Sequence, residues 1–444
     1  MKVHIIACGG AVMHNIALAL HNNGFEVSGS DDEIFEPALS RLKNKGLLPE
    51  KFGWFSEKIN SDLDFIILGM HAKADNPELL KAKEIGLKVY SFPDYIYQHA
   101  INKTRIVIAG SHGKTTTTAM VMHALKQNKY EFDYLVGSQL EGFDTMVKFS
   151  DAPFMVIEGD EYLTSPIDLV PKFLKYKPHV AMITGIAWDH INVFPTFELY
   201  LQQFQLFINT IGNENQLIYF NQDQHLTKLV ENSSCKTTEY NTPSYKRDNF
   251  KTIIDYNGKN YELSIFGEHN LQNMAGAQLV CEKIGLNGDD FYKSMSSFNG
   301  TARRLEKVHE SANELIYRDF AHSPSKLKAT VKALREQFIN EKLICVFELH
   351  TFSSLNSEFL KEYKNCLKDC DVAVVYFNPH VFEMKKMQAF TNEQIRAGFN
   401  QELTVISDSK KLIEEIENIR GNVMSEKCVY AYMSSGNFDN LKLW

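Results

Sequence analysis

Short apolar runs and amphipathic stretches follow one another along the chain. The apolar run Val3–Ala7 leads into a glycine turn, and apolar residues at helical spacing then extend from Met13 to Leu20. A second strand is predicted to begin at Phe25–Gly29. This order predicts a β-α-β unit, the building block of a doubly wound parallel sheet.

The same pattern recurs in two further units. Strands are predicted at Phe65–Leu68, Lys88–Tyr90, Arg105–Ala109, Phe154–Glu158, Val180–Thr184, Leu315–Arg318, Leu343–Phe347, Val372–Tyr376 and Cys428–Met433. Helices are predicted at Phe204–Ile211 and Gly267–Ile284, and Asn257-Gly258 is typical of a hairpin turn. We therefore predict an α/β protein of three domains, 1–100, 101–298 and 299–444.

Composition and charge narrow the class of protein. The 444 residues include 47 basic and 55 acidic side chains, a net charge of −8. This balance gives no electrostatic reason to expect a nucleic acid or an anionic membrane as a partner. No apolar run reaches the roughly 20 residues that span a bilayer. The seven scattered cysteines complete no zinc pattern and favour a reduced, cytoplasmic protein.

A glycine-rich turn after the predicted strand Arg105–Ala109 indicates a phosphate-binding loop. The candidate ATP-binding residues are Gly110, Ser111, His112, Gly113, Lys114, Thr115 and Thr116. Backbone N–H groups in such a turn, together with a helix N-terminus, cradle phosphate oxygens. Lys114 would neutralise the β- and γ-phosphates, and the Thr115 hydroxyl would bind Mg²⁺. Ile108 stands where the strict motif has its first glycine, and an ordinary strand–helix turn is the alternative.

A second glycine turn indicates a nucleotide-diphosphate site in the first domain. Gly9 and Gly10 follow the first predicted strand, and Ser30 and Asp31 end the second. In a parallel sheet both segments reach the same edge, where Ser30 and Asp31 would contact the nucleoside. Tight packing of a glycine pair is the alternative.

Acidic residues and a histidine follow two strands of the second unit. Glu158 opens the segment Glu158–Glu161, and His190 lies in a Trp-Asp-His-Ile-Asn segment after the next strand. Carboxylates at the edge that carries the phosphate loop can hold Mg²⁺, and an imidazole can complete such a site. A solvated turn and a structural histidine are the alternatives.

Two further pairs of polar residues are candidates for an ATP site. Asn270 and Asn273 share one helix face and could face adenine. Arg304 and Asp319 lie near the start of the third unit, from which an arginine would reach the γ-phosphate when domains close. Helix capping and surface ion pairs are the alternatives.

Taken in order, these segments resemble the Mur ligase family of ATP-dependent ligases. The matching segments are HIIACGG, VSGSDD, AGSHGKTTTT, EGDE, WDHIN, GEHNLQN, GTARRLE and RDFAHSP. The resemblance implies a Rossmann-like domain that binds a UDP-sugar, a central P-loop ATPase-type domain, and a Rossmann-like C-terminal domain that brings the amine. It implies ATP and Mg²⁺ as cofactors and an acyl phosphate as the intermediate.

The resemblance also implies roles for the candidate residues. The expected catalytic residues are Lys114, Glu158, His190 and Arg304. Thr115, Glu158 and His190 would hold Mg²⁺, and Asn270 and Asn273 would face adenine. Arg304 and Asp319 would complete the ATP site. The UDP-sugar would lie against Gly9, Gly10, Ser30 and Asp31.

Within the family, two substrate classes compete. The stretch from Ile191 to Gln216 contains no lysine, which is similar to the branch that acts directly on UDP-N-acetylmuramate. The amine would be the murein tripeptide L-Ala-γ-D-Glu-meso-diaminopimelate, used in peptidoglycan recycling, or L-alanine in peptidoglycan synthesis. Three segments, 30–37, 90–93 and 433–438, resemble the tripeptide branch. We expect the tripeptide, with L-alanine as the alternative.

The segment His350–Ser354 bears on this choice because it lacks the two arginines of the L-alanine pattern. Carboxylates of a tripeptide would then need other cationic partners, for which the candidates are Lys326, Lys328, Lys385 and Lys386. Two other classes stay open: a silent relative that only binds a nucleotide sugar, and a folate-polyglutamate-type ligase.

Overall fold

The structure is a computed structural model that describes residues 1–165, 167–189, 191, 193–248, 251–423 and 426–443. Contacts group the chain into two compact units. The first comprises 1–186, 197–241 and 276–294, and the second comprises the described residues of 187–196, 242–275 and 295 onward.

A four-stranded parallel sheet opens the first unit. Its strands, in the order β2-β1-β3-β4, are β1 Lys2–Ile6, β2 Glu26–Ser30, β3 Phe65–Leu68 and β4 Val89–Ser91. The helices of this region are α1 Ala11–Asn22, α2 Ala38–Asn44, α3 Pro77–Glu84 and α4 Phe92–His99. β1 and β3 are almost wholly apolar and buried, as expected for central strands covered on both faces.

A seven-stranded sheet forms the rest of the first unit, in the order β13-β12-β11-β5-β8-β6-β7. The strands of this region, with the small hairpin β9–β10, are β5 Thr104–Ala109, β6 Phe132–Leu135, β7 Val147–Lys148, β8 Phe154–Glu158, β9 Leu163–Ser165, β10 Asp168–Pro171, β11 Val180–Ile183, β12 Gln216–Phe220 and β13 Lys236–Tyr240. The helices are α5 Lys114–Gln127, α6 Phe197–Asn209 and α7 Gln224–Val230. Within the described residues of the seven-stranded sheet, β7 pairs antiparallel and the other strands pair parallel. Because β5 lies between β11 and β8, loops that follow these three strands meet at one edge.

The second unit contains an antiparallel three-stranded sheet and a six-stranded sheet. The strands are β14 Tyr245–Asp248, β15 Lys251–Tyr256, β16 Lys259–Leu263, β17 Glu306–Glu310, β18 Glu314–Asp319, β19 Lys342–Leu349, β20 Val372–Phe377, β21 Thr404–Ile406 and β22 Cys428–Met433. The larger sheet has the order β17-β18-β22-β19-β20-β21, parallel except for β17.

The remaining helices are α8 Glu268–Lys283, α9 Gly288–Met295, α10 Pro324–Gln337, α11 Ser357–Leu360, α12 Pro379–Met384, α13 Asn392–Phe399 and α14 Ser409–Asn422. The division between the units falls inside α8, between residues 275 and 276. An apolar core covers each face of the six-stranded sheet.

The α/β class is confirmed, and the predicted strands are present with shifts of one or two residues at their ends. The turn Asn257-Gly258 joins β15 to β16, as predicted. Helix α6 begins at Phe197, seven residues before its predicted start. Strand β13 escaped prediction because polar, exposed residues interrupt its apolar pattern, and β12, a short apolar run after Gln216, was also not predicted. Within the described residues, no helix is both long and apolar enough to cross a membrane.

Candidate functional site

The phosphate loop lies between β5 and α5, as its sequence predicts. Gly110 (φ +130°) and Gly113 (φ +80°) adopt backbone conformations that favour glycine, and α5 begins at Lys114 directly after Gly113. A Cβ atom on Gly110 would lie 2.1 Å from Thr184 Oγ1, so only glycine fits there. The Thr184 N–H donates to the carbonyl of Ala109 (3.0 Å), which fixes the approach of the two strand ends.

Lys114 is held by a buried carboxylate in the structure. Its Nζ donates to Glu161 Oε2 (2.6 Å) and to the carbonyl of Gly110 (2.6 Å). Glu161 is fully buried, and its other oxygen accepts a hydrogen bond from the Tyr200 hydroxyl (2.9 Å). Burial by itself lowers the pKa of Lys114, but the charges of Glu161 and Asp160 outweigh it, and the pKa is raised. Lys114 therefore carries a positive charge at the mouth of the loop.

The same edge offers hard oxygen atoms next to the start of α5. The Thr115 hydroxyl donates to Glu158 Oε1 (2.9 Å), and the N–H of Gly137 donates to Glu158 Oε2 (3.0 Å). One hydroxyl and one carboxylate suit Mg²⁺, which keeps several waters and phosphate oxygens among its ligands. Among the described residues, no group of three or more His, Cys, Asp and Glu side chains could hold a metal by itself. His190 lies outside the described residues, and its predicted place beside Glu158 stays a prediction.

Asp160 belongs to a separate ion pair. Its carboxylate accepts a hydrogen bond from Lys172 Nζ (2.5 Å). Burial would raise the pKa of Asp160, but the charges of Lys172 and Lys114 lower it to about 2. Asp160 is therefore ionised throughout the physiological range, and its charge adds to the acidic surroundings of Lys114.

The first glycine turn is built around Asp31. The N–H of Gly9 donates to Asp31 Oδ2 (2.7 Å), and Gly10 precedes the first residue of α1. Burial raises the pKa of Asp31 to about 6, although the hydrogen bond from Gly9 opposes this. Ser30 accepts a hydrogen bond from Lys58 Nζ (3.2 Å), a contact that the sequence gave no reason to expect. The turn and the end of β2 thus form one hydrogen-bonded edge.

In the second unit, Asp319 is not the surface ion-pair residue that was one alternative. It is buried, and its carboxylate accepts hydrogen bonds from the N–H groups of Leu305 (2.6 Å) and Ala321 (2.7 Å). Burial raises the pKa of Asp319, and the positive charge of Arg304 opposes the rise. The guanidinium of Arg304 lies 4.7 Å from the centre of the Phe320 ring.

Asn270 and Asn273 lie on α8 and are both buried. Asn270 Nδ2 donates to the carbonyl of Phe266 (2.9 Å), one turn earlier, which leaves the amide oxygen for another partner. The structure thus gives Asn270 a helix-terminal contact, and its role toward adenine stays a prediction.

The four lysines proposed for a tripeptide have different surroundings. Lys326 Nζ pairs with Asp189 (3.4 Å), and Lys385 Nζ donates to the carbonyl of His350 (2.5 Å). Burial lowers the pKa of Lys385. Lys328 and Lys386 are exposed. Beside His350, the buried Glu348 accepts a hydrogen bond from the N–H of Phe438 (3.1 Å), which ties the last loop to β19.

Sequence reasoning missed three partners of the candidate residues. Glu161 lies three positions after Glu158, in the acidic segment that the sequence shows. Its pairing with Lys114 depends on the conformation of the turn between β8 and β9. Tyr200 gave no signal, and the sequence did not connect Lys326 with Asp189, because each pair forms across a long separation in the chain.

Sequence models of one family match three consecutive parts of the chain. Residues 2–104 match the model described as Mur ligase family, catalytic domain. Residues 108–281 match the Mur ligase middle domain, and 303–424 match the Mur ligase, glutamate ligase domain. The domain boundaries that we predict at 100/101 and 298/299 stay predictions.

Individual relatives agree with these models. The UDP-N-acetylmuramate–L-alanine ligase of Clostridium kluyveri is 30% identical over 381 residues, which cover 82% of this chain and 81% of the relative. A solved UDP-N-acetylmuramate-alanine ligase from Thermotoga maritima has a TM-score of 0.71 at 20% identity, over 99% of this chain and 97% of the other. A murein peptide ligase from Psychrobacter arcticus has a TM-score of 0.67 at 20% identity, with the same coverage. At this identity the two structures show the fold alone.

Proposed function

The chain belongs to the Mur ligase family, whose members are ATP-dependent ligases that form C–N bonds, and we propose that it joins L-alanine to UDP-N-acetylmuramate. The observation that carries the proposal is the similarity to ligases of this name over 82% of the chain, at 30% identity. The paired side chains at the phosphate loop supply the chemistry that such a reaction needs.

The reaction has two bond-forming steps. A carboxylate oxygen of the sugar's lactyl group attacks the γ-phosphorus of ATP, the bond to the β,γ-bridging oxygen breaks, and ADP leaves. The L-alanine nitrogen then attacks the acyl carbon and gives up a proton, and inorganic phosphate leaves as the C–N bond forms. Both steps gather negative charge on phosphate oxygens, so positioning and electrostatics supply most of the catalysis.

Lys114 is the residue that we place at the transferring phosphoryl group. Its ammonium group lies at the start of α5, beside the N–H groups of the loop, and exchange of Glu161 for a phosphate oxygen would keep it paired. Thr115 and Glu158, with His190, would hold Mg²⁺, which when bound offsets charge on the phosphate oxygens.

The other candidate residues receive binding roles in the proposal. Asn270 and Asn273 would face adenine, and Arg304 and Asp319 would complete the ATP site. The UDP-sugar would bind at the edge formed by Gly9, Gly10, Ser30 and Asp31. That edge presents backbone N–H groups at the start of α1, which suit a diphosphate.

The murein tripeptide is the second candidate for the amine, although the similarity to L-alanine ligases supports it less well. The specific observation in its favour is the segment His350–Ser354, where the L-alanine pattern has two arginines and this chain has none. In this segment, the carbonyl of His350 accepts a hydrogen bond from Lys385 Nζ.

Competition between the two amines tests the proposal. ATP, Mg²⁺ and UDP-N-acetylmuramate are supplied with L-alanine and the tripeptide at equal concentration, and the products are separated by mass. Predominance of UDP-N-acetylmuramoyl-L-alanine is the expected result. Predominance of the tripeptide product would replace it with the recycling reaction, and ATP hydrolysis without either product would contradict both.

A further inference from the structure

A buried ion pair joins the Trp-Asp-His-Ile-Asn segment to helix α10. Asp189 Oδ2 lies 3.4 Å from Lys326 Nζ, and the side chains are only 7% and 18% exposed. Both residues belong to the second unit. The contact therefore ties the loop at 187–196 to the C-terminal sheet, 137 positions away in the sequence.

Other contacts fold the loop onto the same surface. Trp188 Nε1 donates to the carbonyl of Phe194 (3.0 Å), which closes the loop on itself. Ile191 packs against the larger apolar core of the six-stranded sheet. The negative charge of Asp189 also acts on His322 and Tyr363, whose rings flank the start of α10. Asp189 therefore lies close to charged and aromatic groups at and beside the start of α10.

The ion pair with Lys326 contributes to holding the loop in place. A buried carboxylate is costly unless a charge or hydrogen bonds compensate it. Removal of Lys326 leaves Asp189 with less compensation, and the simplest relief is a movement of the loop toward water. The neighbour of Asp189 in the chain is His190, the expected Mg²⁺ ligand.

We propose that the Asp189–Lys326 pair is a positioning device that fixes the loop carrying the expected Mg²⁺ ligand against helix α10. We call the Asp189–Lys326 contact, with the loop that it holds, the strap. The catalytic consequence of this inference rests on the proposed function, whereas the strap itself can be measured without catalysis. Lys326 is a positioning residue, because it acts through the loop.

The strap is tested with Trp188 as the reporter. The chain has three tryptophans, so the background W54F/W444F leaves Trp188 alone. Into this background we would introduce K326M, D189N, the double variant K326M/D189N, and K326R as the variant that keeps the charge. K332M is the matched control, because Lys332 is an exposed lysine of the same helix and is not a candidate for substrate binding.

Three quantities are expected to change together: the quenching of Trp188, the Mg²⁺ requirement and kcat. Acrylamide quenching of Trp188 should rise about twofold in K326M and D189N, because the loop loses its ion pair. The Mg²⁺ concentration at half-maximal ligation should rise roughly fivefold and kcat should fall about tenfold, with KM for UDP-N-acetylmuramate unchanged within about twofold. The double variant should resemble the single variants. K326R should keep most of the background behaviour, and K332M should match the background.

Unchanged quenching in K326M and D189N would show that the ion pair does not hold the loop, and would overturn the proposal. Increased quenching with an unchanged Mg²⁺ requirement would overturn its positioning role. Additive effects in the double variant would show that the two residues act separately, which also contradicts the proposal. A background protein without ligation would instead contradict the proposed function, and the quenching comparison would still decide whether the strap exists.

Discussion

We expect Lys114 to act both in catalysis and in the stability of the folded chain. The sequence places it in a loop, which predicts that its replacement leaves stability almost unchanged. The structure corrects that prediction, because Lys114 is the charged partner of the fully buried Glu161. Without the lysine, Glu161 would lose this charged partner, although it would keep the hydrogen bond from the Tyr200 hydroxyl.

We expect K114A to abolish ligation and to lower stability. Loss of the ammonium group at the phosphoryl group should reduce the rate by more than tenfold, or about 1.4 kcal/mol. Loss of the ammonium partner of the buried Glu161 should lower the free energy of unfolding by about 2–3 kcal/mol. Ligation and thermal unfolding are measured together, with K114A/E161Q as the control. A double variant no more stable than K114A would contradict the ion-pair explanation.

Asp31 gives a pH-dependent prediction. Its pKa in the folded chain is about 6, because of burial, against about 3.9 in an unfolded chain. The folded state binds this proton more tightly, so the contribution to stability is complete below about pH 4 and is lost as pH rises through about 6. We expect D31N, which cannot ionise, to gain about 1–3 kcal/mol relative to the parent between pH 4 and 7. Denaturant unfolding at several pH values measures this, and parallel curves would argue against it.

At the scale of elements, the turn between β5 and α5 depends on a backbone that only glycine allows. Gly110 has a φ of +130° and faces Thr184, whereas Gly421 on α14 has no atom within 4 Å of an added Cβ. We therefore expect an alanine substitution to lower stability at Gly110 and to raise it at Gly421.

We expect G110A to destabilise the protein by about 3 kcal/mol or more and to abolish ATP-dependent ligation, because the added methyl group overlaps Thr184 and the backbone is strained. G421A should instead stabilise it by up to about 1 kcal/mol, since alanine restricts the unfolded chain. Thermal unfolding compares them. Equal stability of the two variants would show that the loop can relax.

At the scale of the whole molecule, segments far apart in sequence complete the C-terminal core. Phe266, which the sequence places in the central domain, packs in the core of the six-stranded sheet. Its ring contacts Tyr317 at 5.8 Å and Phe338 at 6.0 Å between ring centres, both edge-on. Arg247 likewise pairs with Glu336 on α10 (2.8 Å).

We expect F266A to lower the stability of the C-terminal sheet by about 3 kcal/mol, the usual cost of a buried aromatic cavity. F266L, which fills most of the space, should cost less. Urea unfolding measures both, and hydrogen exchange in β18 and β19 locates the effect. A loss below about 1 kcal/mol would mean that the core closes over the gap.

The sequence by itself determined the α/β class, the succession of most strands along the chain, and the glycine-rich turn between β5 and α5. These features are local: a buried parallel strand has a continuous apolar run, and Gly110–Thr115 contains both the turn and the helix start. Strand β13 lacked that signal because most of its residues are polar and exposed.

Only the tertiary structure decided which charges meet. Lys114 pairs with Glu161, Asp160 with Lys172, and Asp189 with Lys326, and the partners in the last pair are 137 residues apart. The sequence shows each side chain but not its partner, because the energy of a charge depends on burial and on the few ångströms to its neighbour. The same reason explains why Asp319, which read as a surface residue, is buried beneath three backbone and hydroxyl donors.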